Sequence, residues 1–236
     1  MSRLAKGCVA EFLGTFALIF FGAGSIVMTT SAPDSGANLA TVAMAHGLVL
    51  IVFVSACMYI SGAQFNPAVS IGVAVAGKQS WKQAGMFIAV QLFAAACGAG
   101  MLMFMVGREA ADKTFLGATV GALSGVANEG GAEILKLFIL EAMMGFTLMF
   151  IIFSAVIDDR AHKLGGFCVG LTVMACIVGF GPMTGASMNP ARSFGPALYY
   201  WSEFSSVHWV YFVAPVVGAI IAALLYKHVW DESSDS

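Results

Sequence analysis

The chain has 236 residues, of which 59% are hydrophobic and only 10% are charged. Soluble domains carry about a quarter charged residues, so this composition excludes a water-soluble fold and indicates a protein that crosses a membrane several times. The net charge of −2 comes without a basic cluster, which argues against a nucleic-acid partner. The five cysteines lack CxxC or zinc-finger spacing, so we expect no metal site, no disulfide framework and no cofactor.

Six apolar stretches reach or approach the length that crosses a bilayer. They cover residues 8–30, 40–60, 83–106, 133–156, 165–181 and 207–229. The first stretch has features of a signal peptide, because Arg3 and Lys6 precede it, but Glu11 lies within it and five further spans follow. We therefore expect it to be retained. The longest connection, residues 107–132, is rich in glycine and has no apolar period, which predicts an ordered or partly ordered loop.

The basic residues of the connections predict the orientation of the chain. One side carries Arg3, Lys6, Lys78, Lys82, Arg160, Lys163 and Lys227, and the other side carries Arg108, Lys113, Lys136 and Arg192. Because the first side is richer in Lys and Arg, both termini are predicted to be cytoplasmic. We expect a multi-pass integral protein of the plasma membrane.

Two shorter apolar runs, residues 66–77 and 189–201, each begin with Asn-Pro-Ala. Asparagine is a favoured N-cap, and proline is favoured at the first helical position. Ten helical residues span roughly 15 Å, about half of a bilayer core. These runs therefore predict half-helices that start near the middle of the membrane. A surface amphipathic helix is disfavoured, because neither run has a convincing charged face.

The two half-helices belong to an internal repeat. Residues 61–68 align with residues 184–191 at an offset of 123, and the repeats extend over about 8–106 and 133–229. Each half holds three spans, so the second copy must insert upside down relative to the first. The predicted fold is an all-α membrane protein with six transmembrane helices plus two half-helices in an inverted repeat, forming a single membrane domain over residues 1–236.

The motifs resemble those of the aquaporin, or major intrinsic protein, family over essentially the whole chain. They are the two Asn-Pro-Ala boxes, the Ala-Arg-Ser extension at residues 191–193, and the paired membrane glutamates Glu11 and Glu141. The resemblance implies a right-handed bundle, one pore per subunit and a homotetramer. Ser193 and Ala197 stand where glycerol facilitators have Asp and Arg, so the chain is most similar to the water-channel branch.

Within this resemblance, the two boxes predict the centre of the pore. Two helix N-termini that face each other create a positive region that repels cations. The amides of Asn66 and Asn189 are expected to donate hydrogen bonds to a passing water, which interrupts proton hopping. Irregular backbone before the boxes would offer a ladder of carbonyls, supplied by Gly62, Ala63, Gln64, Phe65, Gly185, Ser187 and Met188. The resemblance implies that Glu11 and Glu141 brace these loops; we prefer this role to a proton relay.

Counting from the boxes along the family pattern places a selectivity filter at His46, Ile177, Ala186 and Arg192. Water-selective members typically have Phe and His at the first two positions. The present set is similar to that of plant vacuolar-membrane aquaporins, which as a group pass water and often ammonia, urea or hydrogen peroxide. Gln64 stands where the family usually has His, so we expect no pH sensing at this position.

These features predict a passive channel for water that excludes protons and ions, with ammonia, urea or hydrogen peroxide as additional solutes and the lipid bilayer as its surroundings. The alternative is an inverted-repeat secondary transporter of a small solute, for which Glu11 and Glu141 are the available membrane carboxylates. An adhesion protein of the same fold with a closed pore also stays open. An enzyme is not expected, because the sequence shows no nucleophile–base set and the four histidines have no ligand spacing.

Overall fold

The computed structural model describes residues 1–123, 130–161, 164–204 and 207–230. Within these ranges the chain forms helices and connecting segments and no strand. The helices are α1 (Arg3–Ser31), α2 (Leu39–Ser61), α3 (Pro67–Val75), α4 (Trp81–Val106), α5 (Arg108–Thr114), α6 (Gly131–Ile157), α7 (Gly165–Thr184), α8 (Pro190–Ala197), α9 (Trp201–Phe204) and α10 (His208–Val229). Six of them, α1, α2, α4, α6, α7 and α10, are long and apolar enough to cross a membrane. The six predicted spans are thus confirmed.

The connection between α4 and α6 differs from its prediction as a loop. It begins with helix α5 and continues into a 3₁₀ turn, Phe115–Gly117. Helix α5 is polar and carries two ion pairs at i,i+4 spacing, Lys113 with Glu109 at 2.8 Å and Arg108 with Asp112 at 3.1 Å. Such pairs support a helix without an apolar stripe, which is why a search for apolar periodicity misses it. Residues 124–129 of this connection lie outside the described residues.

Two of the spans contain a π-helical segment. These segments are Leu18–Ala23 within α1 and Phe153–Ile157 at the end of α6. A π turn holds an extra residue and changes the direction in which the following side chains point. In α1 it places Ile19 and Ala23 in the interior, where both are fully buried. The amino-acid sequence carries no local signal for such a turn.

The two half-helices start where the sequence predicts and end earlier. The side chain of Asn66 caps α3 by accepting the backbone N–H of Ala68 at 2.9 Å, and Asn189 caps α8 by accepting that of Ala191 at 3.0 Å. Helix α3 ends before Gly77, whose φ of 78° lies in the left-handed region that ends helices. Turns then lead from α8 to the short helix α9. The half-helices are therefore 9 and 8 residues long.

Three pairs of spans build the bundle: α1 packs on α4, α2 on α7, and α6 on α10. Glycines allow the closest of these approaches. A Cβ atom on Gly170 would meet the carbonyl oxygen of Gly47 and the side chain of Ile51, and one on Gly166 would lie 2.9 Å from the carbonyl oxygen of Ile51. Small residues of this kind let membrane helices approach until their backbones touch. The half-helices fill the space between the pairs, since α3 and α8 both contact α4 and α10.

Candidate functional site

The N-termini of the two half-helices meet inside the bundle. The Asn66 amide donates to the carbonyl oxygen of Met188 at 2.9 Å, and the Asn189 amide donates to the carbonyl oxygen of Phe65 at 2.9 Å. Each side chain therefore caps its own helix through its oxygen and ties down the opposite loop through its nitrogen. An amide nitrogen carries two hydrogens, so each asparagine keeps a second N–H for the cavity that both residues line.

The two loops before the boxes have the same backbone conformation, position by position. Positive φ values occur at Gly62, Ala63 and Phe65 in the first loop, and at Gly185, Ala186 and Met188 in the second. Such values are uncommon for residues other than glycine and persist where surrounding structure holds them. The repeat seen in the sequence is therefore also a repeat in geometry, and each loop requires groups that hold it.

The first loop is held by Glu11, which is fully buried. Its carboxylate accepts the backbone N–H groups of Gln64 at 2.9 Å and Phe65 at 2.6 Å. It also accepts the hydroxyl of Ser61 at 2.6 Å and the side-chain amide of Gln91 at 2.8 Å. Four donors thus converge on one carboxylate, which compensates for its burial.

Glu141 holds the second loop in the same way and is also fully buried. It accepts the backbone N–H of Ser187 at 3.0 Å and that of Met188 at 2.8 Å, together with the hydroxyl of Thr184. Thr184 aligns with Ser61 in the repeat. In each half, therefore, a hydroxyl at this position donates to the buried carboxylate. Both glutamates bond to loop backbone, which is the geometry expected of a brace.

The carbonyl ladder stays a prediction, and the residues predicted for it differ in their surroundings. Phe65 and Met188 line the narrow cavity, and each of their carbonyl oxygens has two lone pairs. The carbonyls of Phe65 and Met188 accept the asparagine amides of the opposite loops, because the cross-bonding of the loops requires an acceptor at these positions. Ala63, Gln64 and Ser187 line the narrow cavity, and Gly62 lines a wider one. Gly185 lines neither of these two cavities within the described part of the chain.

The narrow cavity has a volume of about 30 Å³, which is enough to admit water, since a cavity needs about 10–15 Å³ to hold one molecule. One part of its wall is polar and includes both asparagine amides. The rest is apolar and is formed chiefly by Leu50, Val54, Leu148, Ile152, Val169 and Val173. An apolar wall offers a solute no hydrogen bonds, so polar contacts are confined to one strip.

Three of the four predicted filter residues, His46, Ala186 and Arg192, line this cavity. Arg192 donates from Nε to Nε2 of His46 at 3.2 Å, and Nδ1 of His46 lies 2.9 Å from the carbonyl oxygen of Val42. These partners assign the proton of the ring to Nδ1, so both ring nitrogens are occupied. Nη1 of Arg192 is buried and has no hydrogen-bond partner among the described residues.

Ile177, the fourth predicted filter residue, is buried but does not line the narrow cavity in the part of the chain that the structure describes. Val173, one turn earlier on α7, contributes to the wall instead. Val173 and Ile177 lie on the same face of α7, so they differ in their position along the helix axis rather than in the direction of their side chains. The structure therefore brings together His46, Ala186 and Arg192, with Ile177 beside them in the packed interior.

A wide vestibule of about 880 Å³ adjoins the narrow cavity, and Gln64 and Ile152 line both. Its wall includes charged side chains from three segments of the chain, Arg3, Lys78, Lys82 and Asp159. The three basic residues among them belong to the side that the sequence predicts to be cytoplasmic. Lys163, predicted for the same side, lies outside the described residues.

Sequence reasoning missed two residues that shape this path. Gly22 lies in the π-helical segment of α1, and a Cβ atom on it would lie 2.7 Å from Nε2 of His46. Gln79 follows the first half-helix and bonds the side chain of Gln64 at 2.9 Å. Neither belongs to a motif, and no local pattern in the sequence singles them out.

Comparisons with known proteins agree with this architecture. Residues 1–226 match the Major intrinsic protein family. The chain is 38% identical to Aquaporin TIP4-4 of Zea mays over 233 residues, covering 93% of this chain and 86% of that protein. It is 33% identical to Aquaporin AqpM of Methanothermobacter marburgensis over 253 residues, covering 98% of this chain and 100% of that protein.

A solved structure is similar over the whole fold. It is the X-ray structure of the aquaglyceroporin from Plasmodium falciparum, with a TM-score of 0.83 and 25% sequence identity, covering 98% of this chain and 99% of that chain. A family match over nearly the whole length, together with the six spans and the paired half-helices, leads to one conclusion. This chain is a multi-pass membrane protein that belongs to the major intrinsic protein family of passive channels, and it is not an enzyme.

Proposed function

We propose that the chain conducts water in single file, from the vestibule through the narrow cavity. The observation that carries this proposal is the cavity of about 30 Å³ between the two asparagine amides. Its volume admits water and leaves little space for larger solutes. Its mixed wall also suits water, because the polar strip replaces some bonds of bulk water and the apolar wall does not hold the molecule back.

The exclusion of protons and ions follows from the fixed donors. The side-chain oxygens of Asn66 and Asn189 accept backbone N–H groups, so neither amide can turn over without losing its helix cap. A water between them meets two N–H donors and uses its oxygen to accept both. It then cannot accept a proton from the next water. Cations are further disfavoured by the two helix N-termini and by the charge of Arg192.

We propose ammonia and hydrogen peroxide as additional solutes, because both are close to water in cross-section. Urea is wider and needs the filter to open further, so we expect it to pass more slowly. The filter supports this order, since Arg192 and His46 bond to each other and must separate for the passage between them to widen. Among the relatives, the aquaporin and aquaglyceroporin names cover more than one solute class.

We further propose that the 236-residue chain acts as one channel domain and assembles as a homotetramer, which is typical of the family. Both termini are assigned to the cytoplasmic side, because Arg3, Lys78 and Lys82 surround the vestibule. The plasma membrane remains our prediction for its location.

Purified protein in liposomes tests the proposal by stopped-flow light scattering. Vesicles that contain the protein should shrink faster than empty vesicles in an impermeant osmolyte, with a low activation energy and no ion current. The matched control is Val173→Trp, which places a large side chain in the cavity wall. Vesicles that contain this variant should shrink at a rate close to that of empty vesicles. Equal rates for wild-type and empty vesicles would refute water conduction.

The same vesicles separate the solutes and the alternative mechanism. Ammonia, hydrogen peroxide, urea and glycerol are supplied in parallel, and the expected order of uptake places ammonia and hydrogen peroxide first. A secondary transporter would accumulate a solute against its gradient when an ion gradient is imposed. A passive channel only equilibrates it, so accumulation would contradict the proposal.

A further inference from the structure

Gln64 occupies the junction between the narrow cavity and the vestibule, since it lines both. Only 9% of the surface of Gln64 is exposed. Its side chain faces the passage beside the apolar wall. A flexible amide at such a point affects every molecule that passes. Whatever fixes this amide therefore affects conduction.

The side chain of Gln64 is fixed by two neighbours. Its oxygen accepts the hydroxyl of Ser70 at 2.6 Å and the side-chain amide of Gln79 at 3.3 Å. Its nitrogen donates to the side-chain oxygen of Gln79 at 2.9 Å. The two glutamines thus form a reciprocal amide pair. Gln79 is itself held, because its nitrogen also donates to the carbonyl oxygen of Ser70 at 2.7 Å.

These bonds define the orientation of the Gln64 amide. With the oxygen directed at Ser70 and Gln79, one N–H is used by Gln79 and the other is left for the passage. An amide that turned over would set its N–H groups against the Gln79 amide nitrogen and its oxygen against the Gln79 oxygen, and would lose these bonds. Gln64 therefore presents a donor to the lumen, as Asn66 and Asn189 do.

The second half of the repeat shows the same arrangement with different residues. Ser187 and Ser193 align with Gln64 and Ser70, and their hydroxyls are 2.6 Å apart. A third partner from another segment, Thr119, lies 2.6 Å from the Ser193 hydroxyl. In both halves the residue two positions before the boxed asparagine is tied to the residue four positions after it, and a more distant residue completes the group. Gln91, whose side-chain amide donates to the Ser70 hydroxyl at 3.0 Å, is the counterpart of Thr119, and Gln79 is a further partner in the first half.

We propose that Gln79 is a positioning residue for conduction: it locks Gln64 as a third fixed donor of the pore and keeps its side chain out of the passage. The proposal rests on the proposed water conduction. Without Gln79, the Gln64 side chain keeps only its bond to Ser70 and can rotate about three side-chain torsions. The freed amide can then enter the junction, whose wall also includes Ile152.

The test compares three variants with the wild type by stopped-flow water permeability per channel. Gln79→Ala removes the pair. Gln83→Ala is the matched control, because Gln83 is another glutamine of the vestibule wall and its side chain takes no part in these bonds. The double variant Gln64→Ala with Gln79→Ala removes the obstructing side chain as well.

Two hydrogen bonds bias a side-chain equilibrium by about tenfold or more, so Gln79→Ala should lower water permeability by about twofold or more. Gln83→Ala should match the wild type, and the double variant should return to the wild-type value or exceed it. Gln79→Met, which keeps the length of the side chain and removes its amide, should behave like Gln79→Ala and replaces it if that variant is poorly recovered.

Wild-type permeability in both Gln79 variants would overturn the proposal. A double variant that conducts as slowly as Gln79→Ala alone would also overturn it, because the effect of Gln79 would then not depend on Gln64. A wild-type protein that conducts no water is a different result. It would refute the proposed function itself.

Discussion

Replacing Gly22 by alanine should obstruct the pore from a helix that supplies none of the predicted filter residues. The new Cβ atom would lie 2.7 Å from both Cδ2 and Nε2 of the His46 ring. Carbon atoms in contact prefer about 3.5–4.0 Å, so the ring must retreat by about 1 Å. Its Nδ1 side is held at the carbonyl oxygen of Val42 and its Nε2 side faces Arg192. The ring therefore moves toward Arg192 or breaks the 3.2 Å bond to it.

This rearrangement should lower the stability of the fold only slightly but should take up much of the space in the pore. Overpacking of a buried site costs about 1–3 kcal/mol, which is less than the total stability of about 5–15 kcal/mol that is typical of folded proteins. The protein should therefore still fold. The cavity, however, has a volume of only about 30 Å³, and a side chain displaced by about 1 Å into it removes much of the space that is open to water.

Stopped-flow light scattering of proteoliposomes measures the effect at matched protein content. Gly22→Ala should lower water permeability several-fold, whereas Gly85→Ala should not, because a Cβ atom on Gly85 meets nothing within 4 Å. Adding His46→Ala to Gly22→Ala should restore conduction, since the displaced ring is gone. Unchanged permeability in folded Gly22→Ala protein would refute the reasoning, as would a double variant that stays closed.

Further predictions concern the braces, the filter and one loop carboxylate. Glu11→Gln and Glu141→Gln should each lower stability by about 2–3 kcal/mol, because the new amide sets an N–H against backbone donors; an unchanged thermal midpoint in detergent would contradict the brace role. His46→Phe combined with Ile177→His should narrow the solute range while water still flows, so ammonia uptake equal to wild type would count against the filter assignment. Hydrogen bonds from a neighbouring arginine hold the pKa of Asp158 well below its usual value. Its stabilising contribution is present above the unfolded pKa of about 4 and is lost as the pH falls below it, so Asp158→Asn should lower the thermal midpoint at neutral pH and differ less from wild type in acid.

The sequence by itself determined the six spans, the two half-helices and their capping asparagines. These features depend on local physics: the length of an apolar run, the preference of Asn and Pro at a helix start, and the repeat of a motif. It also singled out Glu11 and Glu141, because a carboxyl group inside an apolar span requires donors. The polar helix α5 escaped this reading, since i,i+4 ion pairs support it without any apolar stripe.

Only the tertiary structure decided how these parts meet. Asn66 bonds the carbonyl of Met188, which is 122 residues away, and no pattern of neighbours along the chain specifies that contact. The same holds for the Gln64–Gln79 pair and for the space that Gly22 leaves for the His46 ring. It also holds for the level along α7 at which the narrow cavity lies, beside Val173 rather than Ile177. Each depends on the direction of a side chain and on the distance between segments remote in sequence. A periodic pattern fixes which residues share a helix, whereas packing fixes what each one faces.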